Sequence, residues 1–219
     1  MSTTPEISLR ERKRRQTLAD IEDAASRLVA ERGFANVTVD NICHEARISK
    51  RTFFNYVDSK ETAVLGGPPR EFTADQRRRL LCSQHDDLVA TLLEMSLENV
   101  ISGQTSTPEQ RAILLRRRKH IRRTDPALDH VNSNRMIVVF HYLLAEIVEY
   151  FDTYPHNRRI ANVAPEMEAA HLALLVTGAI RLGFSRWVDT QGESYDQLAP
   201  RCRESLAMLR TLATPPEDT

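Results

Sequence analysis

Residues 38–65 read TVDNICHEARISKRTFFNYVDSKETAVL, and three helix starts are spaced along them. Thr38 is a good N-cap, because a hydroxyl there can accept from a free amide of the next turn. Val39, Ile42, Cys43 and Ala46 then recur at three- and four-residue steps, so they share one face of a short helix. After a turn at Arg47 and Ile48, Ser49 caps a second short helix over Lys50 to Val57. Asp58 and Glu61 follow with capping-box spacing, with Asp in place of Ser or Thr. Upstream, Leu18, Ile21, Ala25 and Leu28 share a helix face. Gly33 suits the left-handed conformation that ends a helix, and Phe34 points back as an apolar anchor.

The rest of the 219-residue chain fits an all-helical protein. Breaks fall at Gly66-Gly67-Pro68-Pro69, Ser102-Gly103, Asp125-Pro126, Tyr154-Pro155, Ala164-Pro165 and Thr214-Pro215-Pro216. Between them lie segments rich in Leu, Ala, Arg and Glu, with only a weak strand pattern at Val37–Val39. Thr107 reads as an N-cap with Pro108 at the first helical position. Long helices are expected over 87–101, 128–151, 166–190 and 195–212. We expect a DNA-binding-type helical domain over 1–65 and a second helical domain over 66–219. Thirty basic and thirty acidic residues give a net charge of +0. That excludes a protein coated in positive charge but allows a local basic patch. No apolar run approaches the ~18 residues of a membrane span, so no membrane partner is expected. The start of the sequence has no signal-peptide pattern. Cys43, Cys82 and Cys202 are odd in number and far apart, which points to a reduced, cytoplasmic protein.

Two short helices joined by a tight turn form a helix-turn-helix, and such a helix fits the major groove of DNA. Lys50 and Arg51 stand at the positive end of their own helix dipole, where an external anion would explain them. The 38–65 stretch, with Arg14 to Phe34 before it, resembles the DNA-binding region of the TetR/AcrR family of transcriptional repressors. The resemblance covers the first third of the chain: a Thr-Val start, a small turn, Ser-Lys-x-Thr, an aromatic-rich helix, then Ser-Lys-Glu. It implies that Thr38, Ser49, Lys50, Arg51, Thr52, Asn55, Tyr56 and Lys60 meet bases or phosphates, with Lys60 capping a phosphate. Asn55 is the best base reader by chemistry, since Asn can bond adenine bidentately. Phe53 reads as core. Arg47 stands where the family has glycine. A left-handed residue there costs of order 1 kcal/mol, so another turn geometry or a phosphate contact by Arg47 are the alternatives. Phe54 replaces a tyrosine that commonly bonds a phosphate. The basic cluster from Arg10 to Arg15, Arg14 included, is expected near the DNA backbone or minor groove.

The resemblance also implies a homodimer on a palindromic operator, released by a small effector. The dimer would be built by the last two helices, through Leu172, Leu175, Ala179, Leu182, Leu206 and Leu209. Gly178, Ala179 and Gly183 would allow close helix approach. Residue types alone leave a monomer core as the alternative for this apolar helix. His141, Tyr142, Tyr150, His171 and Thr177 could orient a mainly apolar ligand, although each is also an ordinary core or edge residue. The run Arg111, Arg116, Arg117, Arg118, Lys119, Arg122 and Arg123 is a solvated face or a seat for an anionic ligand such as a nucleotide-bearing acyl carrier. No phosphate loop, nucleophile elbow or metal-ligand spacing appears, so neither an enzyme nor a cofactor is expected. Cys43-His44 reads as a buried thiol beside a surface histidine. The competing function is a helical carrier or enzyme for an apolar metabolite that uses its N-terminal helices for protein contacts.

Overall fold

The computed structural model describes residues 8–102 and 107–214, and no strand occurs among them. The described residues form α1 (Leu9–Arg32), α2 (Val39–Glu45), α3 (Lys50–Tyr56), α4 (Lys60–Leu65), α5 (Ala74–Leu81), α6 (Leu88–Ser102), α7 (Pro108–Thr124), α8 (Pro126–Thr153), α9 (Pro165–Asp189) and α10 (Leu198–Ala213). Short 3-10 turns lie at Phe34–Asn36, Pro155–Asn157 and Tyr195–Gln197. The breaks proposed at Gly103 and at Pro215-Pro216 lie outside the described residues. The strand signal at 37–39 has a local explanation: Thr38 is extended because it caps α2, and Val37 is buried.

The chain divides into two compact units. The first holds Met1–Pro68 together with Gln104–Asn132. The sequence suggests a single boundary near Leu65, but α7 and the start of α8 group with the N-terminal helices. Ile121 and Leu128 are 1% and 2% exposed and join the same core as Ile21, Ala25, Leu28, Ile42, Phe53 and Val64. Arg117 donates from Nη1 to Asp23 Oδ1 at 2.8 Å and to Ser26 Oγ at 3.0 Å on α1. Arg118, buried, donates from Nε to the Val64 carbonyl at 2.9 Å and pairs with Glu22 at 3.0 Å. Gly66 lets this guanidinium in. Its φ is +87°, and a Cβ there would stand 2.8 Å from Arg118 Nη1. Two members of the basic run are therefore joinery. A buried arginine needs such partners, because an unpaired charge in the interior is costly.

The second unit holds Pro69–Gly103 and Ser133–Thr219. Its first helix, α5, lies outside the long helices expected from the sequence; Thr73 and Gln76 form its capping box. The buried Gln76 amide also donates to the Met95 carbonyl on α6 at 3.1 Å. Asp87 caps α6 through Ala90 N at 3.0 Å and receives both arms of Arg210 from α10, at 2.6 and 2.7 Å. Helix α9 is long and apolar enough to cross a membrane by length and composition. Here its buried stripe Ala173, Val176, Ala179, Gly183 and Trp187 packs instead, with Trp187 Nε1 donating to the Ser194 carbonyl at 2.8 Å. The buried Glu168 near its start accepts from Arg158 Nε at 3.3 Å and Arg159 N at 2.6 Å.

Candidate nucleic-acid interface

The reading helix is positioned by caps below and core behind. Thr38 Oγ1 accepts from Asn41 N at 3.2 Å, and Asn41 Oδ1 accepts from Thr38 N at 2.9 Å, which closes a capping box at α2. The turn that follows reaches α3 through Arg47, at φ 54°. Arginine therefore takes the left-handed conformation that glycine would take, at roughly 1–2 kcal/mol of local cost, and the turn keeps its geometry. Ser49 Oγ then accepts from Thr52 N at 3.0 Å and lies 2.8 Å from Thr52 Oγ1. Phe53 is fully buried and Val57 nearly so, which fixes one face of α3 to the core. The other face follows from the helical period: Lys50, Arg51, Phe54 and Asn55 are all exposed. Thr52 and Tyr56 are half-buried, at the edge between the two faces.

Two readings depart from the expectation. Lys60 does not present its ammonium to solvent. Nζ donates to the Phe34 carbonyl at 2.8 Å and the Val37 carbonyl at 2.7 Å, and it sits 3.8 Å from the centre of the Phe34 ring. It ties the start of α4 to the turn before α2. The cap of α4 is Ser59, accepting from Thr62 N at 3.1 Å, rather than Asp58 with Glu61. Lys60→Met should therefore cost stability, about 1.5–3 kcal/mol for hydrogen bonds to a charged group, and leave the salt dependence of DNA binding unchanged. Thermal melts and salt titrations check this; a phosphate contact would lower the salt slope by about one without moving the melt.

The charges around α3 are partly engaged. Lys50 Nζ lies 2.9 Å from Asp40 on α2, and this hydrogen-bonded pair holds the ammonium above its usual pKa. Both side chains are exposed, so the pair can open to an incoming phosphate. The Arg10–Arg15 cluster is wound into the first turns of α1, capped by Ser8. Arg15 pairs with Glu11 at 2.9 Å, and Arg14 lies 4.0 Å from the same carboxylate.

The five proposed ligand residues do not converge. His141 Nδ1 lies 2.9 Å from the Ile137 carbonyl and His171 Nδ1 2.7 Å from the Met167 carbonyl, each on its own helix and exposed. Thr177 donates to the Ala173 carbonyl at 2.8 Å. The fully buried Tyr150 accepts at its hydroxyl from His85 N at 2.9 Å and Asn157 Nδ2 at 2.6 Å. Tyr142 packs edge-on to Phe72 at 5.7 Å, and burial pushes its pKa up to about 12. Among the described residues, two surface clefts of the second unit hold none of these five in their walls. One, of about 300 Å³, is lined by His85, Asp86, His156, Arg159 and Glu168 over Leu88, Val89 and Leu172. The other, of about 480 Å³, is lined by Gln76, Arg79, Glu94, Glu98 and Arg203.

The proposed dimer residues divide in the same way. Ala179 and Leu206 are buried in the unit's own core, and Leu172 lines the smaller cleft. Leu175 and Leu209 are half-buried, and a Cβ on Gly178 would meet Leu209 Cδ1 at 3.7 Å. Of the six, Leu182 on α9 is exposed (46%), and beside it the exposed apolar residues include Leu174 (59%) on α9 with Met208 (51%) and Leu212 (84%) on α10. Within each helix these recur at four- or eight-residue steps, which is one face.

Comparison with known proteins agrees with this geometry. Residues 21–63 match the family model for bacterial regulatory proteins of the tetR family. No curated protein matches the chain. A solved structure from Syntrophomonas wolfei, described as a TetR-family transcriptional regulator, is 16% identical. The match covers 94% of this chain and 97% of that one, with a TM-score of 0.50, which shows the fold. Salmonella enterica GusR is 21% identical over 90% of this chain and 93% of its own, with a TM-score of 0.42. Over residues 21–63, the helix-turn-helix region, the chain is similar to the bacterial regulatory proteins of the tetR family.

Proposed function

We propose that this DNA-binding regulator acts as a homodimeric repressor on a palindromic operator and is released by a small effector. One observation carries the DNA reading: α3 seals Phe53 into the core and turns Lys50, Arg51 and Asn55 outward from a capped helix start. Lys50 and Arg51 then meet phosphate or base edges, and Asn55 reads adenine. Thr38, Arg47, Ser49 and Tyr56 flank that face, and Arg14 adds a backbone contact from α1. The dimer reading is supported by the exposed stripe of Leu174, Leu182, Met208 and Leu212, apolar surface that a second copy would remove from water. Two-fold symmetry would then set the reading helices about one DNA turn apart, ~34–36 Å. The effector reading is supported by the two clefts, whose charged walls suit a polar molecule better than the mainly apolar one suggested by the sequence. Such a molecule releases DNA only by binding better to a conformer with misplaced reading helices.

Binding assays on a duplex selected from a random-sequence pool test the site. Lys50→Ala should weaken all duplexes alike and lower the salt slope by about one. Asn55→Ala should relax one base pair, by ~1–3 kcal/mol. Unchanged affinity and selectivity in both variants would sink the assignment of α3. Asp40→Asn, which frees Lys50, should tighten binding a few-fold and leave the salt slope nearly unchanged, because Lys50 neutralises the same phosphate in both proteins. Weaker binding in Asp40→Asn would show Asp40 to be a base contact instead.

A further inference from the structure

Phe54 is the one large apolar side chain exposed among residues 34–65, at 55%. It lies one helical turn from Lys50 and Arg51 and next to Asn55, so all four share the outward face of α3. Its outer edge is open to solvent. Its inner edge is held, because the ring meets the buried Phe53 edge-on at 5.2 Å and 86°. The ring is therefore aimed rather than loose. Phenylalanine has no hydroxyl and cannot bond a phosphate oxygen. In the major groove, the apolar feature of the base edges is the C5-methyl of thymine.

We propose that Phe54 is a specificity-determining residue that selects thymine by packing on its C5-methyl. The proposal rests on the DNA-binding function argued above. It gives α3 a second kind of reader: Asn55 recognises a base by hydrogen bonds, and Phe54 recognises a neighbouring base by an apolar contact. Together they predict an operator half-site with an adenine and a thymine at fixed separation.

Deoxyuridine tests this, since it lacks only that methyl and pairs as thymine does. A duplex selected by the wild-type chain from a random pool is resynthesised with each thymine replaced in turn, and affinities are measured for the wild type, Phe54→Ala and Phe54→Leu. At one symmetry-related position the wild type should lose about fourfold per methyl, the effect of burying one such group. Phe54→Ala should bind more weakly and be indifferent to that same replacement. Phe54→Leu, still apolar, should keep part of the sensitivity and serves alone if the alanine variant binds too weakly. The proposal is overturned if no thymine is invariant in the selected duplexes. It is also overturned if no replacement matters, or if the sensitive position is equally sensitive in both variants. Failure of the wild type to select any duplex would instead overturn the DNA-binding function itself, so the two failures are distinguishable.

Discussion

Phe53→Ala is expected to destabilise the first unit by about 3–5 kcal/mol and to abolish specific DNA binding near physiological temperature. Phe53 is fully buried and sits in the same core as Ile21, Ile42, Val64 and Ile121. Truncating it opens a cavity under α3. A seven-residue helix has little stability of its own, because short helices in water depend on tertiary packing. The loss is a large fraction of the roughly 5–15 kcal/mol that holds a typical domain folded. The neighbouring Phe54→Ala removes a ring that is already half in water, and its melt should move by no more than ~0.5 kcal/mol. Denaturant unfolding of the two variants separates the aromatic that holds the helix from the one that faces outward. Equal stability losses would mean that α3 is not seated as described.

Gly183→Ala should be the most damaging single-methyl addition in the second unit. A Cβ at this position would stand 2.5 Å from both the backbone nitrogen and the Cα of Cys202 on α10. Backbone cannot rotate away as a flexible side chain can, so α9 and α10 must separate or shift. Overpacking of this kind costs typically 1–3 kcal/mol, and a backbone contact belongs at the upper end, about 3 kcal/mol. Cys202 itself offers no relief: it is buried, and burial pushes its thiol pKa up to about 12, so it remains a neutral packing group. Because the exposed stripe lies on these same two helices, Gly183→Ala should also weaken any dimer. Gly178→Ala is the control, since its Cβ would meet Leu209 at an ordinary 3.7 Å. Melting and sedimentation of both variants check the contrast.

What was legible in the sequence follows the range of the interactions involved. The caps at Thr38, Ser49 and Thr107 depend on residues three apart, and each caps a helix as read. The face of α3 that holds Phe53 follows from the helical period and from its aromatic neighbours. Arg47 was correctly placed at the turn, but its left-handed φ depends on the packing of α2 against α3, which residue types do not reveal. Lys60 was read for its charge. Its partners are carbonyls 23 and 26 residues away, which no local pattern announces. The same holds for Arg117 and Arg118, 91 and 54 residues from Ser26 and Val64. The resemblance implies a dimer through Ala179 and Leu206, yet both are buried in the protomer's own core, an alternative that residue types alone leave open. Leu174 and Met208 carry the exposed face instead. The eight-residue spacing of Leu174 and Leu182 is a signal in the sequence, but it becomes decisive only once their exposure is known.

Sedimentation equilibrium of the chain with a selected operator duplex, repeated across salt concentrations, tests the central claim most directly. The expected result is a complex of two chains per duplex whose affinity falls steeply and linearly with the logarithm of salt, as counterion release requires. A single chain per duplex, or binding indifferent to both sequence and salt, would contradict it.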